Sequence, residues 1–382
     1  MRWLLPPGIE DLLPPQAQAL EGARRQLLDL FAGWGYRLVM PPLVEYADAL
    51  LTGTGADLAQ QTFQVTDPLS GRLLAIRADI TPQVARIDAR NSDPAPARLC
   101  YLGSVLTAQE AAPGTCRNPM QVGAELYGHS GPESDVEVLR LMLATLRSAG
   151  HDSTHVDLGH VGIFRGLSRA AGLDADAEHT LFELLQRKAR ADIGDFVDGL
   201  GLDPVVRDWF VNLPQCFGPI GRLPTLRAML PGVPGPVIAA LDELENISHE
   251  LLRFEPQLPL FVDLAELRGF HYHTGLVFAA YGAGYGQAMA WGGRYDGVGE
   301  VFGRARPATG FSADLKRLLA PAAPPALPVL APWSSDRELT ALVERLRAGG
   351  RTVIHELPGS QSGPVGARIV QQGDGWTLQD EG

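Results

Sequence analysis

The sequence predicts an α+β protein: an antiparallel sheet flanked by helices, split by a helical insertion and followed by a small C-terminal α/β unit. Three observations carry that expectation. Short β-type runs alternate with turns over about residues 63–128 and resume near residue 260. Over about 165–258 the apolar residues change to helical spacing. A proline-rich stretch at 320–325 then sets off a tail, as a semi-rigid spacer does. The expected boundaries are a split core at 1–164 and 259–319, an insertion at 165–258, a linker at 320–326 and a C-terminal domain at 327–382.

Along the chain, Leu20, Ala23, Leu27, Leu30 and Phe31 recur on one helical face, and Gly33 and Gly35 close the segment. Tyr36-Arg37-Leu38-Val39-Met40 reads as a strand stopped by Pro41-Pro42, after which Leu43-Val44-Glu45 resumes. Strands are expected at 73–77, 98–102 and 121–127, with one helix over 81–89 and another over 135–149 ending in Gly150. In the insertion, Leu181, Leu184 and Leu185 share one stripe, and Val237, Leu241, Leu244 and Leu251 share another, with Pro236 where a first turn tolerates proline. Strands return at 260–264 and 275–280, and Gly292-Gly293-Arg294-Tyr295-Asp296-Gly297 reads as a turn. The tail supplies an apolar strand at Val329-Leu330 and a helix over 337–347.

Composition narrows the class of function. With 45% hydrophobic and 20% charged residues in 382, and no apolar run near the ~18 residues that cross a bilayer, a soluble protein without a membrane partner is expected. Two prolines cut short the apolar patch at the N-terminus, so no signal peptide is expected and the cytoplasm is the expected location. Cys100, Cys116 and Cys216 fit neither a disulfide framework nor a zinc site. No metal and no cofactor are expected. A net charge of -12 disfavours a nucleic-acid partner.

Several segments together resemble the class II histidyl-tRNA synthetases. Gly35-Tyr36-Arg37-Leu38-Val39-Met40-Pro41-Pro42-Leu43-Val44-Glu45 looks like their motif 1, which implies self-dimerisation. The stretch 98–128 looks like motif 2 with its loop, and the stretch from Gly310 to Leu318 like motif 3. Arg268-Gly269-Phe270-His271-Tyr272-His273-Thr274-Gly275 resembles the histidine-specific signature, with His271 and His273 where the family carries other residues. The resemblance implies a class II synthetase-like core without saying that it is active.

The departures fall on the nucleotide contacts. Thr107 stands at the family's phosphate-binding arginine, Gln109 at a glutamate and Pro119 at the adenine-stacking aromatic. Arg117 and Arg317 remain, but Asp314 replaces a glycine beside the phosphates, where like charge repels a triphosphate. Adenylation is therefore not expected, and no catalytic residue is assigned. The amino-acid pocket is kept. The resemblance implies a histidine site of Asp79, Thr81, Gln121, Glu125, Arg268, Tyr272 and His273, with Asp79 on the ammonium, Arg268 on the carboxylate and Glu125 on the imidazole. Strand alternation puts 121, 123 and 125 on one face, with Gly123 leaving room for a ligand. Read without the family, Asp79 is equally a helix cap, Gln121 and Glu125 a solvated strand face, and Arg268 a structural ion pair.

The tail carries Arg337, Arg345, Arg347, Arg351 and Arg368 against seven acidic residues and no lysine, a poor anticodon binder. A synthetase core that keeps the residues for histidine but not those for ATP resembles the regulatory subunits of ATP phosphoribosyltransferase, the first enzyme of histidine biosynthesis. That resemblance implies a short catalytic subunit as partner in a hetero-octamer, and feedback by histidine. An active histidyl-tRNA synthetase, or a tRNA- or protein-binding paralogue with an empty pocket, stays open as an alternative.

Overall fold

The computed structural model describes residues 4–52, 56–109, 115–270, 272–284, 286–319, 326–373 and 375–380, so His271 and most of the expected linker lie outside the described residues. The chain divides into two compact units, Met1–Ala320 and Pro321–Gly382. In the first, nine strands form one sheet in the order Arg37–Leu38, Ala97–Ser104, Met120–Tyr127, Ala308–Asp314, Ala290–Arg294, Leu276–Gly282, Thr154–His160, Leu260–Asp263 and Phe217–Pro219. Its pairings are antiparallel except at Arg37–Leu38 with its neighbour and between Thr154–His160 and Leu260–Asp263. The mixed α+β class is the one that the sequence predicts.

Alternation along Met120–Tyr127 separates two environments. Val122, Ala124 and Leu126 pack with Leu27 and Phe31 of helix Pro14–Gly33, with Leu139 and Met142 of helix Pro132–Ser148, and with Leu241 and Leu244 of helix Gly235–Phe254. Tyr127 faces the other way, with Leu99 and Tyr101, into a smaller cluster roofed by Ile80, Val84 and Ala85 around helix Thr81–Ala89. Both faces are therefore covered. The second roof is a single short helix, and that leaves space beside it for a site.

Four local expectations change in three dimensions. Of 36–40 only Arg37–Leu38 joins the sheet, because Pro41-Pro42 turn the chain away; Val44–Tyr46 starts a separate three-stranded sheet with Leu73–Ile76 and Phe63–Thr66. The 165–258 segment contributes the edge strand Phe217–Pro219, which is too short for periodicity to reveal. Its helices share the main core, since Leu181, Leu185 and Phe210 belong to the same apolar cluster as Phe31 and Phe311. Gly292 and Gly293 lie in a strand, Ala290–Arg294, and not in a turn. A Cβ on Gly292 would stand 2.0 Å from the Gly310 carbonyl oxygen, so glycine serves close strand approach there.

The second unit is a four-stranded sheet, ordered Val353–His355, Val329–Ala331, Ala367–Gln372, Gly375–Asp380, covered by helix Arg337–Ala348. Asp336 caps that helix by accepting from the Glu338 and Leu339 amides at 2.8 and 2.9 Å. Among the described residues no helix is long and apolar enough to cross a membrane.

Candidate functional site

Glu125 projects from Met120–Tyr127, the third strand of the sheet, toward the Thr81–Ala89 helix and is wholly buried. Burying a carboxylate is costly unless hydrogen bonds compensate, and here hydroxyls surround it. Tyr295 donates to Oε2 at 2.5 Å, while Tyr101 and Thr81 donate to Oε1, each at 3.1 Å. Desolvation still dominates and pushes the carboxyl up to about 8, with the nearby Asp79 charge adding to it and the Tyr295 hydrogen bond opposing it. The strands permit this crowding only because position 310 is glycine, where a Cβ would fall 1.5 Å from Glu125 Oε2.

Asp79 sits in the bend that leads into the helix. Its Oδ1 accepts from the Thr81 amide at 3.0 Å and from Gln121 Nε2 at 2.7 Å, and Gln121 Oε1 accepts from the Ile80 amide at 2.9 Å. Asp79 thus braces the helix start and is itself braced, which leaves Oδ2 with no hydrogen bond among the described residues. Gln121 is its positioning partner. The two readings of Asp79, cap and ligand contact, are compatible in one carboxylate.

A small cavity of about 30 Å³ is lined by Asp79, Thr81, Glu125, Tyr272 and His273 together with Trp291, Gly292, Tyr295, Gly310, Phe311 and Ser312. That is space for a water or two and not for an amino acid. It adjoins a cleft of about 260 Å³ that shares Asp79, Trp291 and Ser312 and reaches Thr107, Pro119, Gln121, Asp314 and Arg317. His273 is buried and neutral, pushed down to about 4 by desolvation, and its Nδ1 lies 3.1 Å from the Arg268 carbonyl oxygen. Against a pure acceptor that nitrogen must carry the proton, so Nε2 is the ring's acceptor.

Of the positions that depart from the family's motifs, Thr107, Pro119 and Asp314 line the cleft, and Gln109 does not. Arg117 turns back on its own chain, with Nε donating to the Thr107 carbonyl at 3.1 Å and Nη1 to the Pro7 carbonyl at 3.2 Å. Asp314 accepts from the Met120 and Lys316 amides, both at 3.1 Å, so this carboxylate is fixed at the start of a helical turn while it lines the cleft.

Residues 8–318 match the family model described as histidyl-tRNA synthetase, and residues 326–379 match the one described as ATP phosphoribosyltransferase subunit HisZ C-terminal domain. Proteins named ATP phosphoribosyltransferase regulatory subunit from Alkalilimnicola ehrlichii and Thioalkalivibrio sulfidiphilus are 54% and 53% identical, over 98% and 99% of this chain and 96% and 98% of their own. The chain belongs to the ATP phosphoribosyltransferase regulatory subunit family. A solved structure from Bacillus halodurans, titled an ATP phosphoribosyltransferase regulatory subunit/histidyl-tRNA synthetase, superposes with a TM-score of 0.84 at 27% identity over 95% of each chain. A histidyl-tRNA synthetase from Nostoc sp. PCC 7120 gives 0.80 at 17% identity over all of this chain and 95% of its own, a likeness of fold alone.

In this regulatory subunit the residues expected around histidine are not equally placed. Asp79, Thr81, Glu125, Tyr272 and His273 share the small cavity, and Gln121 stands behind Asp79. Arg268 does not line either cavity. Its Nη2 donates to the Tyr281 hydroxyl at 3.2 Å and pairs with Glu266 at 3.8 Å, while Nη1 is buried without a hydrogen-bond partner among the described residues. Gly123 leaves room for Tyr101 and not for a ligand directly, since a Cβ there would come 2.4 Å from the Tyr101 hydroxyl. Sequence reasoning missed Tyr101 and Tyr295 as contacts of Glu125, and Trp291 as a shared wall. For Tyr101 a signal existed: it lies opposite Gly123 on the neighbouring strand, and a glycine facing a tyrosine invites the ring across.

Proposed function

We propose that this chain is a non-catalytic subunit that binds free histidine in the pocket around Glu125 and passes that signal to a short ATP phosphoribosyltransferase catalytic subunit. One observation carries the reading. A buried carboxyl in a cage of hydroxyls and an Asp79 oxygen left open face a single cavity, beside a nucleotide cleft with threonine in place of its cation. Such a site suits the imidazole and ammonium of histidine and is poorly equipped to stabilise a triphosphate during adenylation. Histidine must enlarge the cavity to enter, and Tyr272, an exposed residue among its lining, is the wall that would move. Arg268 then has a buried, unmatched N–H with which to meet the ligand carboxylate. Preference of histidine for one arrangement of this pocket is what would couple binding to the partner's activity.

As part of the same reading the chain pairs with itself and assembles with the catalytic subunit as a hetero-octamer in the cytoplasm, acting in the first step of histidine biosynthesis. Leu38, Met40, Leu43 and Val44 support self-pairing because they leave an exposed apolar patch on the motif 1 segment. The domain boundaries belong to the proposal too: a core of 1–164 with 259–319, an insertion at 165–258, a linker at 320–326 and a C-terminal domain at 327–382.

The test is co-expression with the short catalytic subunit, co-purification, and a phosphoribosyl-transfer assay with and without histidine. Histidine-dependent inhibition of a complex that the catalytic subunit alone cannot replace is the expected result. Pyrophosphate exchange driven by histidine and ATP in the isolated chain would overturn the non-catalytic reading in favour of a working synthetase.

A further inference from the structure

We propose that a second cleft, on the helical side of the sheet, is a binding site for a small monocarboxylate with a flat apolar body. It lies where the end of helix Pro14–Gly33 and the end of helix Gly235–Phe254 meet helix Pro132–Ser148, and it encloses about 520 Å³, within the size range of small-molecule sites. Trp34, Val136 and Phe254 supply apolar walls. None of its lining residues belongs to the histidine pocket.

Arg140 is the group that calls for a ligand. Its guanidinium carbon lies over the Phe254 ring at 4.0 Å and over the Trp34 ring at 5.4 Å, so aromatic surface occupies its faces and only in-plane N–H groups remain for hydrogen bonding. Its Nε is buried without a hydrogen-bond partner, and no carboxylate lies within ion-pair distance of it among the described residues. With no carboxylate partner of its own, this guanidinium can take an in-plane acceptor from a ligand in the cleft that it lines. The other cation in the cleft is spent. Arg98 donates to both oxygens of Glu137 at 2.7 Å, and Tyr36 donates to the same carboxylate at 3.0 Å.

The remaining lining residues set the charge of the ligand. Glu133 and Glu250 stand in the same cleft, Glu133 largely exposed and Glu250 held by Arg253 at 2.9 Å. A dianion such as phosphate would meet their repulsion for the sake of one free arginine, whereas a single carboxylate can pair with Arg140 in its plane and lay an aromatic body along Trp34, Val136 and Phe254.

Saturation-transfer NMR on the full chain tests this, with phenylacetate as the probe and phenethylamine and inorganic phosphate as controls. Phenylacetate should bind saturably and the two controls should not. Arg140→Gln should weaken phenylacetate roughly tenfold or more, Arg140→Lys should lie between, and Glu125→Gln in the other pocket should leave the affinity unchanged. The absence of saturable phenylacetate binding to the wild-type chain overturns the site, as does equal binding to folded Arg140→Gln and Arg140→Lys variants. Phosphate binding more tightly than phenylacetate overturns the assigned ligand class.

Discussion

The Tyr295 hydroxyl donates to Glu125 Oε2 at 2.5 Å across 170 residues of sequence. It closes a cage whose other members, Tyr101 and Thr81, share Oε1. This contact joins the end of one strand to the middle of another with a third strand between them, so it reports on the register of the whole sheet.

Tyr295→Phe removes that donor and leaves a buried carboxyl oxygen short of a partner. A loss of about 1–3 kcal/mol of stability is expected, together with weaker histidine binding. Denaturant midpoints and calorimetric titration with histidine measure the two effects; unchanged values for both would mean that this hydroxyl contributes nothing to the site.

Glu125 also makes stability depend on pH. An unfolded carboxyl ionises near its ordinary 4.5, whereas burial holds the folded one protonated up to about 8. Between those values the folded state carries the extra proton, so stability falls as pH rises through the window. Glu125→Gln cannot ionise. Its urea midpoint should therefore gain on the wild type from pH 5 to pH 8 and gain no more above that. His273 acts in the opposite sense: its folded value of about 4 lies below the ordinary 6.5, so stability is lost as pH falls from 6.5 toward 4. A parallel pH dependence of the two midpoints across pH 5–8 would contradict the buried, neutral Glu125.

Glu125→Ala and Arg268→Ala, assayed in the assembled complex, should both retain most basal phosphoribosyl transfer and both need roughly thirty-fold more histidine for half-inhibition. The two variants differ in what they test, because Arg268 stands outside the cavity lining and Glu125 inside it. An effect of Glu125→Ala alone would keep the pocket and remove Arg268 from it. Wild-type inhibition in both would move the sensor elsewhere.

The exposed apolar side chains of the motif 1 segment yield a prediction about assembly. Met40 is 74% exposed and Leu43 46% exposed in the single chain, on a stretch where proline has ended the strand. Light scattering at micromolar concentration should give a dimer, and Met40→Asp with Leu43→Asp should shift it to monomer without loss of secondary structure. A monomeric wild type would contradict self-pairing through this face.

Periodicity carried most of the fold class, because the longer elements of the core record their buried face locally: period two in Met120–Tyr127, helical spacing in Gly235–Phe254. The motif residues likewise carried the family, and with it Asp79, Thr81, Glu125, Tyr272 and His273, which the structure brings to one cavity. That position 107 carries a threonine and no charge is equally a matter of sequence, since no packing can supply a charge that the residue lacks. What the sequence by itself could not determine was how side chains from different strands share one space. Gly123 looked like room for a ligand and holds the Tyr101 hydroxyl; Gly310, read as part of a motif, makes room for Glu125; Arg117, retained in the loop, turns back to its own backbone. Those outcomes depend on which strands are neighbours and in what register, a property of the whole sheet and not of any one segment. The tertiary structure alone decided that Tyr295 and Glu125 meet, and that Arg268, for all its place in the signature, stands to one side.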